Sequence, residues 1–362
     1  YSSYDRPDVT TSGLYRDTAS VNDTLAVTDT TNMGNLPWTE VFTDPKLQAL
    51  IQKGLENNTD LLSASLKVKQ AEAMLTSARL SFLPSFALTP QGTVSSFDRA
   101  KATQTYQLPV SASWEVDLFG KLLNAERSKK ALLLQSKAYQ QVVKTKVIAS
   151  IANTYYTLLM LDKQLEISLE TAEAWKQSVE TTRKLMTIGS ANESAVSSTD
   201  ANYLSVQASL AELRRQIRET ENSLSLLLGQ VPQTVDRGRI DEQELPAHLA
   251  TGVPVQLLAN RPDVWQAEAV LKQAFYATNQ ARSSFYPSVT LSGSAGWTNS
   301  GGALVTNPGA WLLQAVGSLV QPLFQRGQLM ANLKISKAQQ EEALLQFQQT
   351  LLDAGAEVNN AL

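Results

Sequence analysis

Residues 55–88, LENNTDLLSASLKVKQAEAMLTSARLSFLPSFAL, return without a gap as residues 258–291, LANRPDVWQAEAVLKQAFYATNQARSSFYPSVTL. The register is constant: Asp60, Lys69, Gln70, Arg79, Phe82, Pro84 and Leu88 meet Asp263, Lys272, Gln273, Arg282, Phe285, Pro287 and Leu291. Each copy joins a helical pattern to an alternating one at Ser-Phe-x-Pro-Ser. Proline stops the helix there, because it lacks an N–H and clashes with the preceding turn. A unit near 200 residues is too long for a solenoid repeat. The chain therefore reads as two duplicated halves, each built helix, strands, long helix.

Outward from the first copy, Asp44-Pro45 gives a helix start, Asp as N-cap and Pro in the first turn, and Asp60 is expected to cap the next helix. Residues 1–43, rich in Ser, Thr and Asp, read as an extended arm. Beyond Pro84 the period becomes two, and strands are expected at 86–97 and 106–117. Leu88, Leu108, Val110 and Trp114 fall on one face, with Thr89, Ser111 and Ser113 on the other. In the second half, strands are expected at 288–299 and 310–321. Leu291 and Trp297 alternate there with Thr290 and Ser292, while the last strand is apolar on both faces.

Strands of about ten residues are long enough to cross a bilayer when tilted. Apolar-out, polar-in alternation suits a water-filled barrel in lipid, and equally a soluble sandwich with one wet face. Residues 283–325 contain no Asp, Glu, Lys or Arg in a chain that is 18% charged, which favours the membrane. Four strands cannot close a barrel, and open edges in lipid leave backbone groups unpaired. A homo-oligomer that completes the barrel is expected.

From Leu122 to Thr187 there is neither Gly nor Pro, and Ile151, Leu158, Leu165, Ala172 and Val179 recur at heptad spacing. Sixty-six helical residues span roughly 100 Å. Ile188-Gly189-Ser190 breaks the helix, and a return helix through Leu210, Ile217 and Leu224 ends near Gly229. The pattern predicts an antiparallel coiled-coil hairpin over 122–228, a first repeat over 44–230, a linker over 231–254 and a second repeat over 255–362, its long helix starting at about 327.

The net charge of −3 offers no basic field to nucleic acid, and the absence of Cys removes disulfides and thiolate chemistry. His248, the only histidine, lies in a Pro/Gly-flanked linker. Glu115 and Asp117 share a strand face, as a catalytic pair could, but read as a wet rim. Ser292-Gly293-Ser294-Ala295-Gly296 lacks the first glycine of a nucleophile elbow and has no local His. Arg79 and Arg282, five residues before each helix–strand proline, read as structural, pairing with carbonyls or phosphate. No catalytic, cofactor or metal site is expected.

Trp38-x-x-x-Phe42-x-Asp44-Pro45, Leu55-x-Asn57-Asn58-x-Asp60-Leu61, Trp114-Glu115-x-Asp117-Leu118-Phe119-Gly120-Lys121, Leu226-Leu227-Leu228-Gly229, Arg261-Pro262-Asp263-Val264 and Gln321-Pro322-Leu323-Phe324 together resemble the outer-membrane factors of the TolC/OprM type, especially their NodT-like lipoprotein branch. The resemblance implies an α+β membrane protein: a homotrimer sharing one transmembrane β-barrel, continued by a helical coiled-coil barrel in the periplasm. It implies an exit duct that takes cargo from an inner-membrane pump through a periplasmic adaptor, performs no chemistry, and sits in outer-membrane lipid. Ile188, Gly189 and Ser190 resemble the hairpin tip that meets the adaptor, although Ala195 stands where many relatives carry a small polar or acidic residue. A soluble coiled-coil adaptor and a type I protein-secretion duct are the alternatives. Offset from the first half, the second hairpin is expected to continue about 70 residues past Leu362, and a lipid-bearing Cys is expected before Tyr1.

Overall fold

The structure, a computed structural model, describes residues 2–9, 37–244, 261–299 and 310–361. In chain order these form α1 (Trp38–Val41), α2 (Pro45–Asn57), α3 (Thr59–Leu80), β1 (Ser85–Leu88), β2 (Gln91–Ser95), β3 (Thr103–Val116), α4 (Lys121–Thr187), α5 (Glu193–Leu227), α6 (Pro262–Ser283), β4 (Ser288–Thr298), β5 (Ala310–Val320) and α7 (Gln328–Ala361). The sequence repeat is a structural repeat: both bounds of α3, shifted by 203, fall on the bounds of α6. His248, most of the N-terminal arm and part of the expected linker lie outside the described residues.

Three expectations need correction. The strand over 86–97 is two strands, because Thr89-Pro90 interrupts it and proline has no N–H for the ladder. Its continuity survives through Thr89 N, which donates to Pro109 O at 3.1 Å. The extended arm contains the single turn α1. The start of α3 is capped by Asn58, whose Oδ1 accepts from Leu61 N at 3.2 Å, and not by Asp60, which lies in the first turn and favours the helix dipole instead.

Five strands make one antiparallel sheet in the order β1–β3–β4–β5, with β2 beside β1 on the same edge of β3. The central pairing joins the two halves: Leu108 faces Trp297, Ser111 faces Ser294 and Trp114 faces Leu291. Gly296 permits this, since a Cβ there would overlap the backbone of Leu108 and Pro109.

Two compact units emerge, and they do not follow the repeats. One holds 2–9, 67–139, 261–299 and 310–361; the other holds 37–66 and 140–244. In the first, α6 and α7 bury Val264, Leu271, Phe347, Leu351 and Ala354 in a shared seam. In the second, Leu47, Ile51, Ile151, Tyr155, Leu158, Leu224 and Leu228 are fully buried. Each such side chain contributes about 1.5–3 kcal/mol relative to exposure. Buried residues on α5 recur every seven, at Leu210, Ile217 and Leu224.

Candidate functional site

The tip between α4 and α5 is built by one glycine. Gly189 has φ +84, a conformation that L side chains resist. Its N–H donates to Met186 O at 3.1 Å and Ser190 N–H donates to Leu185 O at 2.8 Å, so α4 closes in a Schellman motif. Asn192 then caps α5, its Oδ1 accepting from Ala195 N at 2.9 Å. Ala195 supplies only a backbone donor to this turn. A Cβ at Gly189 would meet nothing within 4 Å. Ile188, 73% exposed, and Ser190, also exposed, flank this glycine.

The sheet sorts the strand residues into two sets. Cross-strand partners share a face. Leu88–Val110, Leu108–Trp297 and Trp114–Leu291 are partners on one face, which continues on β5 through Trp311, Leu313 and Leu319. Glu115–Thr290, Ser113–Ser292 and Ser111–Ser294 are successive partners on the other. Thr89 falls just outside β1 but keeps the parity of this second face. Apart from Gln104 near the start of β3 the first face is apolar, and it is exposed: Leu88, Val110, Trp114, Leu291, Leu313 and Leu319 stand open, and Trp297 is half-buried. On β5 the second face also carries Leu312, Val316 and Val320, so polarity fades toward that edge.

Aromatic pairs mark both ends of the sheet. Trp297 and Trp311 lie 4.9 Å apart at one end, and Phe119 stacks on Tyr286 at 5.0 Å where the helices begin. At that junction Trp114 Nε1 donates to Phe82 O at 2.9 Å. Asp117 caps α4 by accepting from Leu122 N at 3.1 Å and Leu123 N at 2.9 Å. Gly120, with φ +73, makes the strand-to-helix turn. Glu115 pairs with Lys121 at 3.3 Å and Arg79 with Glu126 at 3.3 Å, which gives these charges structural partners. Arg282 lies 3.5 Å from Asn279 Oδ1.

Sequence reading overlooked a polar tie in the second unit. Asp44 Oδ2 accepts from Tyr155 Oη at 2.5 Å and from Gln243 Nε2 at 3.0 Å, while Gly238 N donates to Tyr155 Oη at 2.9 Å. Burial and the Asp44 carboxylate push the Tyr155 hydroxyl well above the ordinary phenol range. Beside it, Arg237 grips Asp162 through two hydrogen bonds of 2.5 and 2.9 Å and reaches Glu221 at 3.3 Å. The hydrogen bond to Asp162 raises the guanidinium further, so it stays charged. A tyrosine on the apolar seam of α4 was the available signal, since a buried phenol demands a partner.

No helix among the described residues is long and apolar enough to cross a membrane, which says nothing of the strands. The chain matches the family model described as outer membrane efflux protein over residues 50–230 and 253–362. It is 28% identical over 340 residues to the cation efflux system protein CusC of Escherichia coli, spanning 91% of this chain and 73% of that one. It is 31% identical over 343 residues to the pyoverdine export outer membrane protein OpmQ of Pseudomonas putida, spanning 90% and 72%. Among solved structures, the open-state MtrE outer membrane channel of Neisseria gonorrhoeae superposes with a TM-score of 0.84 at 25% identity, covering 99% of this chain and 80% of that one. With most of its length matched, its fold shared and its sheet exposing one continuous apolar face, this chain belongs to the outer membrane efflux protein family.

Proposed function

We propose that this chain is one protomer of a trimeric exit duct in the outer membrane. In this reading the duct receives cargo from an inner-membrane pump by way of a periplasmic adaptor and passes it outside. Relatives described as efflux and export channels support the reading. The single observation that carries it is the sheet. It exposes Leu88, Leu108, Val110, Trp114 and Leu291 on one face, with Trp297 half-buried beside them, and leaves the outer edges of β1, β2 and β5 unpaired among the described residues. In water such a sheet would aggregate through its edges. In lipid it is stable only if another copy pairs those edges.

The apolar face is then the lipid side, and Thr89, Ser111, Ser113, Thr290 and Ser292 line the lumen. Its dimensions fit. Tyr286 and Trp297 are eleven residues apart, about 36 Å along a strand at ~3.3 Å per residue. A tilt of about 40° reduces this to ~28 Å, close to the ~25 Å apolar band that aromatic girdles flank in outer-membrane barrels. The tip at Ile188, Gly189 and Ser190 is the adaptor contact: an exposed turn with no side chain at its apex lets a partner approach the backbone.

Edge pairing between copies is directly testable, because the chain has no native Cys. Single cysteines placed along β1 and β5 in one chain should, on oxidation in membranes, give a disulfide-linked species at three times the 39.5 kDa monomer mass. Cross-linking that stops at dimers, or none at any register, would contradict the trimer.

A further inference from the structure

We infer that the groove over the α6–α7 seam is a receptor for the chain's own Tyr4-Asp5-Arg6-Pro7 segment, and that closing the seam depends on its occupancy. This goes beyond the channel reading and does not rest on it.

The observation is a carboxylate in the wrong place. Glu268 lies on the seam face of α6, one turn from both Val264 and Leu271, and is only 4% exposed. Positions of this kind carry apolar residues, because an ionised carboxylate loses its hydration there without recompense. Recompense comes from 262 residues away. Arg6 Nε donates to Glu268 Oε1 at 2.8 Å and Arg6 Nη2 donates to Oε2 at 2.7 Å, a bidentate fork. The fork is lopsided: the Arg6 side chain is 56% exposed and that of Glu268 is 5% exposed. The segment can leave into water, but the carboxylate cannot follow it.

The neighbouring contacts show a seated ligand. The Tyr4 ring meets Phe275 edge-on at 5.8 Å, and Lys272 Nζ sits 5.3 Å from the same ring. Tyr4 and Val9 both pack against the cluster of Val264, Leu271, Phe347 and Leu351. Tyr4 Oη is buried with no hydrogen-bond partner among the described residues. Recognition at Tyr4 therefore belongs to the ring, and its hydroxyl adds nothing. Undocking would take from the Glu268 carboxylate both donors that pair it on the seam face. Removing one member of a buried ion pair is strongly destabilising for that reason, whereas a neutral replacement of the remaining member relieves it.

The test uses the full chain in detergent, with amide hydrogen exchange read separately over residues 4–9 and over α6 and α7. Arg6→Ala should speed exchange in both regions by about tenfold or more, as expected for losing a charge-assisted pair. In Arg6→Ala/Glu268→Gln the segment should stay fast while α6 and α7 regain protection, because no buried charge remains. Tyr4→Phe should leave both regions as in the parent, and Tyr4→Ala should release the segment. If Arg6→Ala fails to fold, the double variant still reads the segment and the recovery of the seam. The proposal is overturned if Arg6→Ala leaves the segment protected, if it frees the segment without loosening α6 and α7, or if the double variant shows no recovered seam.

Discussion

Tyr155 Oη donates to Asp44 Oδ2 at 2.5 Å across 111 residues of sequence, tying the cap of α2 to the buried face of α4. Burial alone would raise the Asp44 carboxyl. Hydrogen bonds from Tyr155, Gln243 and the amides of Lys46 and Leu47 outweigh that and hold it below its usual range.

A folded-state value below the unfolded one, near 3.9, gives stability that is present above about pH 4 and lost as pH falls through the folded value. Tyr155→Phe deletes the strongest donor and strands Gly238 N–H. It should cost about 1–3 kcal/mol and move the acid-unfolding midpoint to higher pH, read by circular dichroism. An unchanged midpoint would show that the tie does not govern acid stability.

Two glycines with positive φ should respond differently to alanine. At Gly229 a Cβ would sit 2.5 Å from Asn57 O, a backbone atom that cannot turn aside. At Gly189 nothing stands within 4 Å, so only the conformational cost of about 1 kcal/mol applies. Gly229→Ala should lower the melting temperature clearly and Gly189→Ala only slightly. Gly189→Asp should leave trimers in the membrane yet block export, measured by cargo accumulation in cells that carry the cognate pump and adaptor.

Gly296 and Gly92 form a similar pair within the sheet. Alanine at Gly296 would collide with the Leu108 carbonyl and Pro109 Cα, whereas Gly92 has open space. Gly296→Ala should weaken β3–β4 pairing and reduce the yield of membrane-inserted protein. Gly92→Ala should match the parent, and equal yields from both would place the strand contact elsewhere.

Features set by local chemistry were legible in the sequence. Pro84 ends the α3 region, Gly189 ends α4, Gly229 follows α5, and the alternation from Tyr106 to Val116 gives β3 its two faces. The interruption at Pro90 could have been read from its missing N–H. The pairing of β3 with β4 could not, because nothing in Leu108 indicates Trp297, 189 positions away, as its partner. The face of β5 was also hidden: Leu312 and Leu313 are equally apolar, and only the ladder separates them. Arg6 lies in the stretch read only as an extended arm. Its sole sequence trace was Glu268, a carboxylate in helical register with Val264 and Leu271.

The central claim is that the two faces of this sheet meet two different solvents. The absence of native Cys permits the measurement directly: single cysteines at Leu108, Val110 and Leu291, and at Ser111, Ser113 and Ser292, in protein reconstituted into vesicles. A membrane-impermeant maleimide should label the three serine positions quickly and the three apolar positions slowly, with a bilayer-soluble thiol reagent giving the reverse order. Labelling that failed to alternate along β3 and β4, or aqueous labelling of both sets alike, would mean that this face does not lie in lipid and that the exit-duct account is wrong.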